Sequence, residues 1–356
     1  MNKKVSTTLR QPQQLIAQGL APAAALADLE KVAARYAVAL TPEVAALIDP
    51  ADPTDPIARQ YLPDARELDH APIDDADPIG DGVRSPVEGI VHRYPDRVLF
   101  KLVHVCAVYC RFCFRREMVG PGKETALTPE IYARALDYIR AHPEIWEVIL
   151  TGGDPLVLSP RRLAEVMADL AAIDHVRIVR IHSRVPMADP ARVTPEMVAA
   201  LRVDGVTTWL AVHANHPREF SAAARAACAR LADAGIPLVS QSVLLAGVND
   251  DAATLEALMR TFVECRIKPY YLHHGDLAPG TAHLRATLER GRELMREIRG
   301  RVSGLCQPEF VLDIPGGFGK APVGPSYLSR DREAATGGGY RIVDYCGGIH
   351  AYPPSS

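Results

Sequence analysis

The chain has 356 residues, 48% of them apolar, and a formal charge of -3, so it can bury a large core and is neither disordered nor collagen-like. That charge supplies no basic field for a phosphate backbone, which makes nucleic acid a poor candidate for the main substrate. The opening MNKKVSTTLRQPQQL has no apolar run suited to a signal peptide, and no later stretch reaches the length of a membrane span, so a cytoplasmic protein with a small-molecule or protein partner is expected.

Residues 1–85 read as an N-terminal segment that opens with alanine-rich helical patterning in APAAALADLEKVAARYAV. It then breaks into PADPTDPIARQYLPDARELDHAPIDDADPIGDG, where the density of Pro and Asp predicts an extended wrap without helix or strand. From there short apolar runs alternate with amphipathic helices. The predicted strands are VLFKLVHV, WEVILT, VRIVRIHS, TTWLAVHA, PLVSQSVLL, KPYYLHH and EFVLDI, and the predicted helices include TPEIYARALDYIRAH, SPRRLAEVMADLAAI and EFSAAARAACARLADAG. Thr128, Ser159 and Thr194 each precede a proline, the mark of an N-capped helix start. Strands separated by helices imply a parallel sheet, and the expected class is α/β, a partial (β/α) barrel over residues 86–300 with a C-terminal segment over 301–356. In such folds the polar residues at the strand ends face the active site.

Seven cysteines without a secretory leader suggest reduced thiols rather than disulfides. Three of them, Cys106, Cys110 and Cys113, crowd into CAVYCRFCFRRE after the first predicted barrel strand, while Cys228, Cys265, Cys306 and Cys346 are scattered singly. A zinc knuckle needs a fourth soft ligand nearby, and none follows. Three thiolates on a loop suit a four-iron cluster with one iron open to a non-protein ligand. At other strand ends stand Thr151-Gly152-Gly153-Asp154, His213 and Gln241. Taken alone these read equally as a turn and as core residues. Lys320 closes the glycine-rich DIPGGFGK, which lacks the spacing of a phosphate loop. A lysine there is either solvated or, if shielded, able to form a Schiff base with an aldehyde cofactor.

The CxxxCxxC spacing with Phe112 before the last cysteine resembles the signature of the radical S-adenosylmethionine (SAM) superfamily. That resemblance implies a 4Fe-4S cluster whose open iron chelates SAM, and a SAM contact at the Gly152-Gly153-Asp154 turn. With HRYPDRVLF, ILTGGDPL, SQSVLLAGVND, KPYYLHHGDLAPGTAHLR and DIPGGFGKAPV added, residues 50 to 330 resemble the lysine 2,3-aminomutase family, which combines SAM with pyridoxal 5'-phosphate (PLP). The resemblance implies conversion of L-lysine to β-lysine, an isomerisation. It assigns Lys320 to PLP, His213 and Gln241 to SAM, Arg115 to the substrate carboxylate, and Asp276 and Asp313 to the ε-ammonium. Arg93 and Tyr94 become PLP contacts and Arg184 a phosphate contact. A bidentate guanidinium suits a carboxylate, and an acidic pair would reject a substrate ending in one.

The sequence departs from the family in three places. Clostridial-type members carry extra cysteines that bind zinc between subunits, but here Asp251 follows the VND motif and the sequence closes on AYPPSS. No zinc is expected, and a homo-oligomer stays open with its tetrameric form in doubt. His273 stands where a tyrosine is usual, three residues before Asp276. The third departure is the closing segment itself, which resembles members that make (R)-β-lysine for attachment to translation elongation factor P. An electron donor such as flavodoxin or ferredoxin is implied throughout. The competing readings are a glutamate 2,3-aminomutase, another radical SAM enzyme without PLP such as a methyltransferase, and a zinc-binding scaffold.

Overall fold

A computed structural model describes residues 6–119, 125–331 and 339–353. A nine-stranded sheet holds the molecule together, with strands in sequence order: β1 (Ile90–Tyr94), β2 (Arg97–Val103), β3 (Glu147–Gly152), β4 (Ile178–Ser183), β5 (Thr207–His213), β6 (Leu238–Val243), β7 (Ile267–His273), β8 (Glu309–Ile314) and β9 (Gly319–Pro322). Every pairing from β2 to β8 is parallel. The two outer pairings, β1 with β2 and β8 with β9, are antiparallel. The sheet is therefore a nearly closed partial barrel of the expected α/β kind. All seven predicted strands form, because apolar runs such as the almost wholly buried β3 fit a sheet covered on both faces.

Helices fill the crossovers, among them Pro129–Arg140, Pro160–Ala171 and Pro195–Ala200. Their starts are made as the sequence announces: the Thr128, Ser159 and Thr194 hydroxyls accept from the backbone N–H of Ile131, Arg162 and Met197. Leu163, Val166, Met167 and Leu170 of the second helix are fully buried against the sheet, a four-residue apolar stripe at helical spacing. Among the described residues no helix is long and apolar enough to cross a membrane.

Three expectations need correction. The Pro/Asp-rich wrap is not purely extended: Pro56–Tyr61 is a helix and Ala65–Leu68 and Gly82–Arg84 are 3-10 turns. Pro56 sits in the first turn, where its missing N–H costs nothing. Asp55 caps that turn, its Oδ1 accepting from Ile57 and Ala58 N–H at 2.8 Å each. Second, the boundary drawn at residue 300 cuts the sheet, since β8 and β9 are its last two strands. A separate three-stranded sheet follows them, of β10 (Leu328–Asp331), β11 (Gly339–Val343) and β12 (Ile349–Tyr352). Third, Lys320 lies on β9 and not in a loop. The closing residues 354–356 of AYPPSS and the opening residues 1–5 fall outside the described residues.

Asp55 is fully buried and also accepts from Arg218 Nη1 at 2.8 Å and Asp49 N–H at 3.0 Å. Asp55→Ala is expected to lower unfolding free energy by about 2 kcal/mol or more, against about 1 kcal/mol for Thr128→Ala. Denaturant unfolding of the two variants beside the parent chain checks the order.

Candidate active site

The strands β2 to β8 all end at one rim of the barrel, and the cavity there is lined by residues from every one of them. Cys106, Cys110 and Cys113 form one wall, with Phe112 between the last two. Their loop is folded by local turns, Cys113 N–H to Cys110 C=O at 3.1 Å and Arg116 N–H to Cys113 C=O at 3.3 Å. It is tied to the N-terminal segment by Tyr109 N–H to Ala39 C=O at 2.9 Å and Arg111 N–H to Gln60 C=O at 2.8 Å. Burial pushes the Cys106 thiol well up, and the Asp154 carboxylate and the other two thiols push in the same direction. Burial likewise drives Cys110 up to about 11 and raises Cys113. The three thiols are therefore neutral as they stand, and a metal that took them as ligands would have to displace their protons. Among the described residues no three His, Cys, Asp or Glu side chains are grouped so as to hold a metal ion; what the three cysteines share is the lining of one cavity.

The next strand brings the Gly152-Gly153-Asp154 turn against the base of that loop. Gly152 has φ +102°, and a Cβ on Gly153 would lie 2.2 Å from the Val105 carbonyl oxygen. Glycine is required for this approach, since it lets Asp154 N–H bond Val105 C=O at 3.0 Å, one residue before Cys106. The Asp154 carboxylate is wholly occupied. It accepts from Leu156 N–H (3.0 Å), Ser183 Oγ (2.8 Å), Arg184 N–H (2.7 Å) and Val185 N–H (3.1 Å). What this turn offers a ligand is therefore backbone.

His213 and Gln241 pair across β5 and β6 and both line the cavity. Burial, with the Arg184 and His273 charges adding to it, lowers the His213 pKa well below the usual range, so the ring is neutral. Its Nε2 is buried without a hydrogen-bond partner among the described residues, as are the Nε2 atoms of His182 and His273. Unpaired buried polar atoms lining one cavity are what a polar cofactor would satisfy.

The same cavity is lined by a charged cluster. Lys320 faces Asp313 across the β8–β9 ladder, and its Nζ donates to Asp313 Oδ1 at 2.8 Å. Tyr94 anchors this strand, its hydroxyl accepting from Lys320 N–H at 2.7 Å. His273 Nδ1 lies 3.4 Å from Asp313 Oδ2, so the residue that replaces the usual tyrosine steadies this carboxylate. Burial works against Asp313, but the bonds and charges of His273 and Lys320 outweigh it and hold its pKa well below the ordinary carboxylate range. Asp276 behaves in the opposite way. Burial first and the Asp313 charge second raise it to about 7, against the pull of Lys320, Arg115 and Arg285.

Arg115 donates through Nε to Asp81 at 2.9 Å and through Nη1 to Thr151 Oγ1 at 3.4 Å. Arg93 donates to the same Asp81 at 3.2 Å and to Ile79 C=O at 2.7 Å, and lies 3.7 Å from Asp313. Of these residues all but Asp81 line the cavity. Arg184, expected as a phosphate contact, also lines the cavity. Its guanidinium donates to Glu219 and Gln60 at 2.6 Å each and to Cys110 Sγ at 3.4 Å, which commits it to the thiol wall, and Tyr61 and Phe112 enclose it. His182 stands at the end of its strand and lines the cavity, as the strand-end rule expects. Two site residues, Arg180 and Asp81, escaped the sequence reading. Arg180 carried a usable signal, since it alternates with Val and Ile in VRIVRIHS and so faces the barrel interior. Asp81 carried none beyond its turn.

The residues present fit both groups: a thiol wall with adjoining backbone and unpaired imidazoles for a cluster and SAM, and a shielded amine on a rigid strand for PLP. Gly153→Ala is expected to push back Val105 and Cys106 and to cut iron loading sharply, with the helical circular-dichroism signal unchanged. Iron assayed per chain after anaerobic reconstitution reads it.

Residues 100–258 match the family model described as the Radical SAM superfamily. The L-lysine 2,3-aminomutase of Clostridium subterminale is 45% identical over 291 residues, covering 82% of this chain and 70% of that one. The L-lysine 2,3-aminomutase of Fusobacterium nucleatum is 40% identical over 291 residues, covering 82% and 68%. The glutamate 2,3-aminomutase of Clostridioides difficile is 35% identical over 300 residues, covering 84% and 70%.

Proposed function

The chain belongs to the lysine 2,3-aminomutase family of radical SAM enzymes, and from that premise we propose that it is an isomerase that moves the 2-amino group of L-lysine to carbon 3, giving β-lysine. The observation that carries the choice of lysine is the charge that lines this one cavity. Arg115, with part of its fork uncommitted, shares the lining with two carboxylates, Asp276 and Asp313. A substrate with a carboxylate at one end and an ammonium at the other fits that arrangement. Glutamate would bring a second carboxylate against the acidic pair, a repulsive contact in a poorly solvated site.

When bound, the cluster with SAM supplies a carbon radical able to take hydrogen from an unactivated carbon, and PLP supplies a carrier for the migrating nitrogen. Cys106, Cys110 and Cys113 would hold the cluster, and Gly152, Gly153, Asp154, His213 and Gln241 would border SAM. Lys320 would hold PLP, with Arg93 and Tyr94 beside it. Arg115 orients the substrate by its carboxylate, and Asp276 and Asp313 fix the far end, so carbon 3 has one position in the cavity. Asp313 and His273 are buried at this site, whereas Lys320 keeps a partly exposed side chain. A one-electron donor of flavodoxin or ferredoxin type fits the need for reductive cleavage. Transfer of β-lysine to elongation factor P, and assembly into a homo-oligomer, are further readings drawn from the family.

The test is an anaerobic assay of reconstituted protein with dithionite, SAM, PLP and L-lysine, followed by mass spectrometry. β-Lysine that needs both cofactors is expected; β-glutamate from L-glutamate at a comparable rate, with none from lysine, would sink the assignment. Lys320→Ala should lose the visible absorbance of bound PLP yet keep its iron. Asp276 grips an ammonium only when ionised, and its pKa stands at about 7. The KM for lysine should therefore fall as pH rises through that value and level off above it. In Asp276→Asn this pH dependence should vanish and the KM should rise by about tenfold or more, equivalent to roughly 1.4 kcal/mol.

A further inference from the structure

Glu67 comes from the Pro/Asp-rich wrap, yet it is fully buried. Its Oε1 accepts from Asp64 N–H and from Arg111 Nε, each at 2.8 Å. Its Oε2 accepts from Arg111 Nη2 and from Arg116 Nη2. Arg111 lies between Cys110 and Cys113, and Arg116 three residues after Cys113. One carboxylate thus holds both arginines of the cysteine loop, and both of their side chains are buried as completely as its own.

The remaining donors extend the clamp. Arg111 Nη1 reaches Ala37 C=O at 2.7 Å, and Arg116 Nη1 reaches Arg111 C=O and Gly280 C=O at 3.0 Å each. Gly280 stands four residues beyond Asp276 in the loop after β7, and a Cβ there would lie 2.3 Å from the Glu67 carbonyl oxygen. Two guanidiniums face one carboxylate, and the excess positive charge rests on the Tyr36 ring, 3.6 Å from the Arg116 guanidinium carbon, and the Tyr109 ring, 4.8 Å from that of Arg111. A buried ion triad of this kind is a poor way to add stability, since apolar side chains do as well. What it adds is a fixed register between segments far apart in sequence.

We propose that Glu67 is the positioning residue of the cluster site: it sets the shape of the Cys106–Cys113 loop and, through Arg116 and Gly280, the distance of that loop from the loop bearing Asp276. The proposal rests on the reading of the three cysteines as cluster ligands. Residues behind metal ligands change metal affinity by about 10- to 100-fold when lost. Glu67 stands behind two arginines that flank Cys113.

The experiment compares the parent chain, Glu67→Gln, Glu67→Asp and Gly280→Ala after anaerobic reconstitution with iron, sulfide and PLP. Iron per chain, the electron-paramagnetic-resonance spectrum of the dithionite-reduced protein with and without SAM, and the PLP absorbance are read. Glu67→Gln should keep the PLP absorbance, because Lys320 is held by β9, while iron occupancy falls by about tenfold and the residual spectrum loses its response to SAM. Glu67→Asp, which keeps the charge, should recover part of both. If Glu67→Gln loses PLP and iron together, Gly280→Ala decides, since it displaces the Glu67 backbone with all charges intact and should lose iron alone. Parental iron content and an unchanged SAM response in Glu67→Gln, or in Gly280→Ala where that variant decides, overturn the proposal. A parent chain that takes up no iron overturns the cluster reading instead.

Discussion

Everything at the site follows from the common direction of strands β2 to β8. Parallel strands share one polarity, so their last residues gather at a single rim although they are far apart in sequence. Cys106 follows β2 there, the Gly152-Gly153-Asp154 turn closes β3, and Arg184, His213, His273 and Asp313 arrive from β4, β5, β7 and β8. Lys320 reaches the same rim by another route. The chain turns after β8 and runs back as β9, and the antiparallel register sets Lys320 beside Asp313. The barrel is left open, and each edge is finished by a short antiparallel strand.

Charge is distributed within that rim so that most groups have a defined partner, Asp276 excepted. Asp81 joins Arg93 to Arg115, Asp313 joins His273 to Lys320, and Arg184 stands behind Cys110 with Glu219 and Gln60. In a low-dielectric interior such pairing is what keeps ionised side chains tolerable. Asp276 has no salt-bridge partner within 4.0 Å among the described residues, and burial and the Asp313 charge raise its pKa.

The sequence made the barrel strands and the capped helices legible because both depend on local signals, an apolar run of strand length and a hydroxyl before a proline. The cysteine loop and the glycine turn were legible through their spacing. β1 and β9 were not, since IVHRY and GKAP are too short and too polar to carry a period; their partners make them strands. Glu67 and Asp81 were hidden for a related reason. They stand in a stretch whose composition predicts solvent exposure, and only packing against the barrel buries them. Arg184 shows the same limit from the other side: its position at a strand end was read correctly, but its direction depends on Glu219 and Gln60, from segments that the local sequence does not specify.

The bond between Lys320 and Asp313 has one more consequence. The ammonium on β9 is the same chemical group that the side chain of free lysine carries, so Asp313 is a counter-ion that either can share. On the proposed function, an incoming ammonium would replace like with like at Asp313 once Lys320 is engaged elsewhere, beside the His273 ring that lies 3.4 Å from the same carboxylate. A ligand with no cation to offer would leave that desolvated carboxylate less compensated, and the cost of that would fall on its binding.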